Sequence, residues 1–204
     1  MVQKEKKKPG RPRAYDPDAA LDAALDVFWR AGFSGTSLDD LSAATGMNRP
    51  SIYAAFGDKH ALYLQAIEHY REKMRIQMRA AFAAEMPLRE TLLTVYARAL
   101  DMYFANIKTP LGCFLLCAVV PDVTNDEKIR AVLADGLHLL DEAWRRRIQR
   151  AQDEGEIGKS LDADNLAKVA AGTLYYLSIR ARAGDDRKKL EQVAETTVEL
   201  ICRV

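Results

Sequence analysis

The stretch that most constrains this chain runs from Leu38 to Leu62, LDDLSAATGMNRPSIYAAFGDKHAL. Ser37 is placed to cap a short helix, with Asp40 three residues on as its capping-box partner. Leu38 and Leu41 give that helix an apolar side. Thr45-Gly46 ends it, because glycine takes the left-handed conformation at a helix C-terminus at little cost. Asn48 is a cap for the next helix, and Pro50 falls in its first turn, where a missing N–H does little harm. Ile52 and Phe56 recur at i and i+4 and are expected to point inward. Two short helices across a turn of about four residues have the spacing of a helix-turn-helix, whose second helix lies in the DNA major groove.

The run from Gly46 to Lys59 resembles the DNA-binding signature of tetracycline-repressor (TetR) type regulators. That signature has aromatics at the positions of Tyr53 and Phe56 and a lysine at that of Lys59, opening a long helix. The resemblance extends from Pro17 to Leu62. It implies an all-α fold: a three-helix DNA-binding domain (15–60) after a basic arm (1–14), then a larger helical ligand-binding and dimerisation domain (61–204). Beyond residue 62 only this architecture carries over.

With 204 residues and 49% hydrophobic side chains, a sizeable core is expected. Net charge is only +1, but residues 1–14 hold six Lys/Arg against one Glu, and residues 15–60 hold three against seven acids. The positive charge is thus concentrated at the start of the chain. Three cysteines make no disulfide framework. The N-terminus lacks the apolar stretch of a secretory signal. Leu111 to Val120 is about half of the roughly twenty residues a membrane helix needs. The expectation is a soluble cytoplasmic protein without a cofactor or metal.

Taken in order, the basic arm includes Gly10-Arg11-Pro12-Arg13. It is similar to an AT-hook and is expected to set Arg11 and Arg13 in a minor groove or on phosphates; the competing reading is a solubilising tail. Asp16-Pro17 opens a helix that Gly32 ends. Asp58 caps a helix of about six turns, striped by Leu62, Ala66, Ile67, Tyr70, Met74, Met78 and Phe82, long enough to join two domains rigidly. Pro87 starts a fifth helix through Ile107. A short apolar segment, Leu111 to Val120, is closed by Pro121-Asp122. Thr124 and Glu127 read as the capping box of a long helix to Glu154. Its Arg145-Arg146-Arg147 block with Arg150 is expected on a solvated face or in ion pairs rather than at a second DNA site. Two more helices, about 162–183 and 185–202, bring the expected total to about nine. They resemble the family's dimer interface; otherwise they close the monomer's own core.

Arg49, at the start of the recognition helix, is the strongest candidate for a base contact, since Arg can donate two hydrogen bonds to guanine. Pro50 and Ala54 suit a thymine methyl. Thr36, Ser51 and Tyr53 suit phosphate oxygens, as the family pattern implies, and Lys59 stands at a helix N-terminus that favours anions. Ala54 and Ala55 are smaller than the resemblance implies, so direct readout is expected to be thin. For a small-molecule pocket, which the family usually encloses, the candidate lining is Tyr96, Tyr103, Phe104, Cys113, Phe114, Cys117, His138 and Trp144, although aromatics at helical spacing also make core. Cys113 and Cys117 share a face as packing residues or as a thiol sensor.

No enzyme motif is present: Gly158-Lys159-Ser160 has Asp153 where a phosphate-binding loop needs glycine. The expected function is a homodimeric repressor that binds a palindromic operator in double-stranded DNA and is released by a small molecule. The alternatives are a thiol- or partner-triggered regulator, or a helical ligand-binding or enzymatic protein that has lost DNA.

Overall fold

Short polar side chains set where the helices begin. The computed structural model describes residues 15–83, 85–105 and 109–203; the basic arm with Arg11 and Arg13, and Ile107, lie outside them. Asp16, Ser37, Asn48, Asp126, Asp162 and Asp186 each accept a backbone N–H from the first turn of the helix that follows. Asp58 does the same from Ala61, at 2.7 Å. Such a cap satisfies a donor that the helix cannot and is worth about 1 kcal/mol. The α-helices are α1 (Pro17–Gly35), α2 (Leu38–Thr45), α3 (Arg49–Phe56), α4 (Lys59–Ala83), α5 (Leu88–Tyr103), α6 (Glu127–Asp153), α7 (Ala163–Arg182) and α8 (Arg187–Cys202). Between α5 and α6 a π-helical turn, Leu115–Val119, runs into a 3₁₀ stretch, Val120–Asn125. Counting that segment once gives nine helical stretches among the described residues. Inside α1 the backbone breaks at Gly32 (φ 71°), where the sequence placed the end of the helix.

Three expectations for the middle of the chain are corrected. Helix α5 stops at Tyr103 rather than Ile107: Phe104 closes it by donating its N–H to Leu100 O, and Ala105 turns back onto Met102 O. Pro121 does not close the apolar segment. It occupies the first turn of the 3₁₀ stretch, where no N–H is required of it. Thr124 lies inside that stretch and is not the cap of α6. Asp126 is, accepting from the N–H groups of Lys128 and Ile129 while its other oxygen lies 2.5 Å from His60 of α4.

The helices enclose two cores. One joins α1–α3, the first three turns of α4, and Phe114, Ala118, Val119 and Ile129. The other joins the end of α4 to α5–α8 around Trp144, Tyr96, Leu92 and Leu177. Helices α4 and α6 run parallel, since His60 meets Asp126, Arg71 meets Asp135 and Phe82 meets Trp144. The arginine block of α6 is not uniformly solvated. Arg147 is buried, with Nη2 on Glu156 and Met86 O and Nε on Thr91.

The turn into the π segment crosses α7 at Gly112. Its φ is +68°, and an added Cβ would lie 2.5 Å from Ser178 O and 2.9 Å from Cys117 Sγ. Next in the chain, the N–H of Cys113 donates to Ser178 Oγ at 2.7 Å. Neither the backbone angle nor the space admits a side chain. Gly112→Ala is expected to cost about 1–3 kcal/mol of stability, read as a lower denaturant midpoint; an unchanged midpoint would show that this crossing does not hold the segment.

Candidate nucleic-acid interface and ligand cavity

Three turns of chemistry orient α3. The Ser37–Asp40 capping box is closed in both directions, Ser37 N donating to Asp40 at 2.9 Å and Asp40 N to Ser37 Oγ at 3.1 Å. Gly46 then takes φ 67° and redirects the chain, and Asn48 Oδ1 accepts from Ser51 N at 2.9 Å. Leu41, Met47, Ile52 and Phe56 bury the inner faces of α2 and α3. What remains outside is one surface. Arg49, Pro50, Tyr53 and Ala54 are exposed and Ser51 is half-exposed beside them. Ala55 is turned partly inward against the core.

The Arg49 guanidinium is held by both oxygens of Asp39, Nε at 3.0 Å and Nη2 at 2.6 Å. This fork-to-fork pair lies in solvent. Lys59 and Thr36 are turned the other way. Lys59 Nζ donates to Phe33 O (3.0 Å) and Thr36 O (2.9 Å) and rests 4.3 Å above the Phe33 ring. Thr36 is buried, its hydroxyl donating to Gly32 O. Lys59 ties the kinked end of α1 to the start of α4, and the Thr36 hydroxyl closes the kink itself.

In the other half a cavity of about 950 Å³ opens between α4, α5, α6, α7 and the π segment. Of the residues named from sequence, Tyr103 and Cys113 line it. Tyr96, Phe114 and Trp144 are core instead, and Phe104 packs against that core. Cys117 faces Ser178, their Sγ and Oγ 3.5 Å apart. His138 is exposed on α6. The sequence stripe on α4 contained Met74 and Met78, but as core; both line the cavity, as do Met102, Leu116, Leu140 and Tyr175. Polarity comes from Arg71, Arg75, Arg79, Arg146, Arg147 and Arg150, with Glu68, Glu72 and Asp135. The phenols stay neutral: burial pushes Tyr175 up to about 12 and Tyr103 well above the usual range. Burial also pushes the Cys113 thiol up, although the Tyr70 hydroxyl donates to its sulfur at 3.3 Å.

One face of the π segment meets the cavity and the other meets the DNA-end core. Cys113, Leu115 and Leu116 line the cavity. Phe114 packs on Trp29 (centroids 5.8 Å apart), Tyr70 (5.5 Å) and Tyr63 (6.1 Å). Trp29 Nε1 donates to Leu111 O, and Arg182 Nη1 of α7 donates to both Leu111 O and Trp29 O.

Residues 20–66 match the family described as bacterial regulatory proteins, tetR family, and residues 87–197 match the tetracyclin repressor-like C-terminal domain. The chain is 33% identical over 197 residues to the HTH-type transcriptional repressor ComR of Escherichia coli K12, covering 96% of this chain and 93% of that protein. To the HTH-type transcriptional repressor BdcR of the same organism it is 29% identical over 206 residues, covering 98% and 96%. Among solved structures, a cysteine mutant of the TetR family transcriptional regulator CifR, complexed with 26-bp double-strand operator DNA, matches with a TM-score of 0.82 at 30% identity, over 93% of this chain and 98% of that one. The reduced form of Escherichia coli NemR shares the fold, with a TM-score of 0.79 at 17% identity over 90% and 94% of the two chains. With a helix-turn-helix that presents α3 to solvent and family matches in both halves, the chain is a transcriptional regulator of the TetR family, a family of regulators and not of enzymes.

Proposed function

We propose that two copies of this chain bind a pseudo-palindromic operator as a repressor, and that a small molecule filling the cavity releases them. The observation that carries this reading is the shared π segment, because it couples cavity shape to the packing under the recognition helix. A ligand wedged against Cys113, Leu115 and Leu116 pushes on the turn that carries Phe114 into the aromatic cluster of Trp29, Tyr63 and Tyr70. Helix α4 is the second link. It spans about 37 Å, from Lys59 beside α3 to Met78 and Phe82 in the cavity wall. A ligand that binds the released arrangement more tightly lowers operator affinity by that difference and by no more.

Dimerisation is supported by what the last two helices leave in water. Val169, Tyr176 and Ile179 on α7 and Leu200 on α8 are each about half exposed in the single chain. They recur at helical spacing along one outer stripe, and an apolar stripe of this kind invites a mate. One unit reads one half-site, so a two-fold pair presents two α3 helices to two half-sites. The relatives named as repressors, and the relative solved on operator DNA, support the sign of regulation and the partner. Lys59 and Thr36 serve this function from inside, by setting the angle of α3, while Arg49, Pro50, Ser51, Tyr53 and Ala54 face the groove and its phosphates.

A thiol trigger at Cys113 has less support. The thiolate is the reactive form, and burial that raises the thiol's pKa leaves little of it at neutral pH.

Selection from a random-sequence DNA pool at near-physiological salt is expected to return a palindromic motif; enrichment without symmetry, or none, would remove the dimeric reader. Arg49→Ala is expected to cost about 1–3 kcal/mol of operator binding and to relax preference at one base position per half-site. Unchanged affinity and preference in a binding titration would take Arg49 out of the readout. Phe114→Leu shortens the wedge while keeping the site apolar. It is expected to leave operator affinity near that of the parent and to raise several-fold the ligand concentration needed for release, scored by fluorescence anisotropy of labelled operator. Release at the parental concentration would mean that the signal travels along α4 alone.

A further inference from the structure

The cavity is apolar along most of its length, but its charges are sorted by end. Near Arg71 the lining cations are neutralised in place. Arg71 pairs with Glu68 at 2.8 Å and Asp135 at 2.5 Å, and Arg75 pairs with Glu72 at 2.6 Å. Both acids and bases of these pairs belong to the lining. Because α4 and α6 run parallel, the next turns of each helix reach the opposite end together. There the lining carries Arg79 from α4 and Arg146, Arg147 and Arg150 from α6, and no acidic residue lines that end. The carboxylates that do serve these arginines, Glu142, Glu154 and Glu156, stand outside the lining. Arg79 has no hydrogen bond or ion pair among the described residues.

Arg147 supplies an independent sign. It is 3% exposed. Its Nε is taken by Thr91 and its Nη2 by Met86 O and Glu156, but its Nη1 has no hydrogen-bond partner. Leaving the N–H groups of a buried guanidinium unmade is costly, and natural structures rarely do so without a use for them. Arg147 borders this cavity, with its Nη1 covered by protein.

We propose that the effector is an amphipathic organic anion, a carboxylic acid with an apolar body. Its carboxylate is received at the arginine end by Arg79 and Arg146, with the buried Arg147 charge behind them, and its body lies against Met74, Met78, Met102 and Leu116. This rests on the reading of the cavity as the release site and names the class of compound that acts there. A carboxylate offers two acceptor oxygens with four lone-pair directions, which suits convergent guanidinium groups. Methionines accept varied apolar shapes. Arg71 and Arg79, eight positions apart on α4, are separated by about 12 Å along the axis, which fits a medium-length alkyl chain or a two-ring aryl group. The lining of this end holds cations and no acid, so specificity comes from the head and tolerance from the body.

Calorimetric titration of the full-length protein with decanoate and 2-naphthoate, and with their primary amides, tests this. Each acid is expected to bind saturably at one site per chain, at least about tenfold more tightly than its amide. Arg79→Gln combined with Arg146→Gln, both at exposed positions, is expected to weaken the acids about tenfold and leave the amides unchanged. Arg147→Met is expected to weaken the acids relative to the amides by removing the charge behind the site; if that variant fails to fold, the double glutamine variant decides alone. Equal binding of acid and amide, insensitivity to the double variant, or no saturable binding of either acid would overturn the proposal. Adding operator DNA separates it from the reading beneath it. Acids that bind through the arginines yet leave DNA bound keep the anion site and overturn release by cavity filling. Amides that release DNA as well as acids do keep release and overturn the anion site.

Discussion

The contact on which the rest of this structure depends is the seating of Phe114 among Trp29, Tyr63 and Tyr70. Phe114 meets Tyr63 and Tyr70 edge to face and Trp29 at a tilt, and each such pair adds about 0.5–1.5 kcal/mol beyond the area it removes from water. Its importance is positional. Trp29 is on α1, Tyr63 and Tyr70 are on α4, and Phe114 comes from the segment after α5, so the DNA-end core is completed by a residue from the cavity end. A π-helical turn is a rare conformation that is found mostly at functional sites. Here it follows Phe114, which is buried in the DNA-end core, and carries Leu115 and Leu116, which line the cavity. Gly112 and Ser178 hold the segment against α7, and Arg182 ties the same helix to the backbone of Trp29. The junction is therefore closed by hydrogen bonds on one side and by aromatic packing on the other. A packed junction of this kind has few alternative arrangements, and discreteness is what a release mechanism requires.

The parts of the fold legible in the sequence are those whose causes are local. Ser37 with Asp40, Asn48 with Pro50, Gly32 and Gly46 each act on residues within one turn of themselves, and each stands where the spacing placed it. The helix-turn-helix is built almost wholly from such signals. The middle of the chain is governed by partners far away in sequence. Thr124 and Asp126 were equally good caps as letters; His60, 66 positions earlier, stands against the second and not the first. Arg147 sat in a run of cations that reads as a solvated surface. Its burial depends on Thr91, Met86 and Glu156, two of them on or beside a different helix.

The cavity shows the same division. Whether an inward residue packs or lines a void is decided by the separation of the helices, which periodicity does not encode. Trp144 and Tyr96 were indistinguishable in pattern from Tyr103, yet they fill the core while Tyr103 borders the opening. Met74 and Met78 had the spacing of core and the flexibility of a lining. The charges were harder still, since the sorting of arginines to one end depends on α4 and α6 being parallel.

The recognition surface is economical in a way that follows from its energetics. With Ala54 outward and Ala55 partly inward, the middle of α3 offers little to a base edge, and on the proposed reading the burden falls on Arg49 at its start. That side chain is already in harness: Asp39 holds it in an extended, bidentate geometry. An ion pair so exposed is worth about 0–1 kcal/mol, whereas a bidentate contact to guanine discriminates by about 1–3 kcal/mol. The exchange of one for the other is favourable at the right base and close to neutral at a wrong one, where Asp39 simply keeps its partner. Holding the guanidinium in place also removes part of the side-chain entropy that docking would otherwise cost. On the reading proposed for Arg49, Asp39 tempers non-specific binding to phosphate while preparing the side chain that reads sequence.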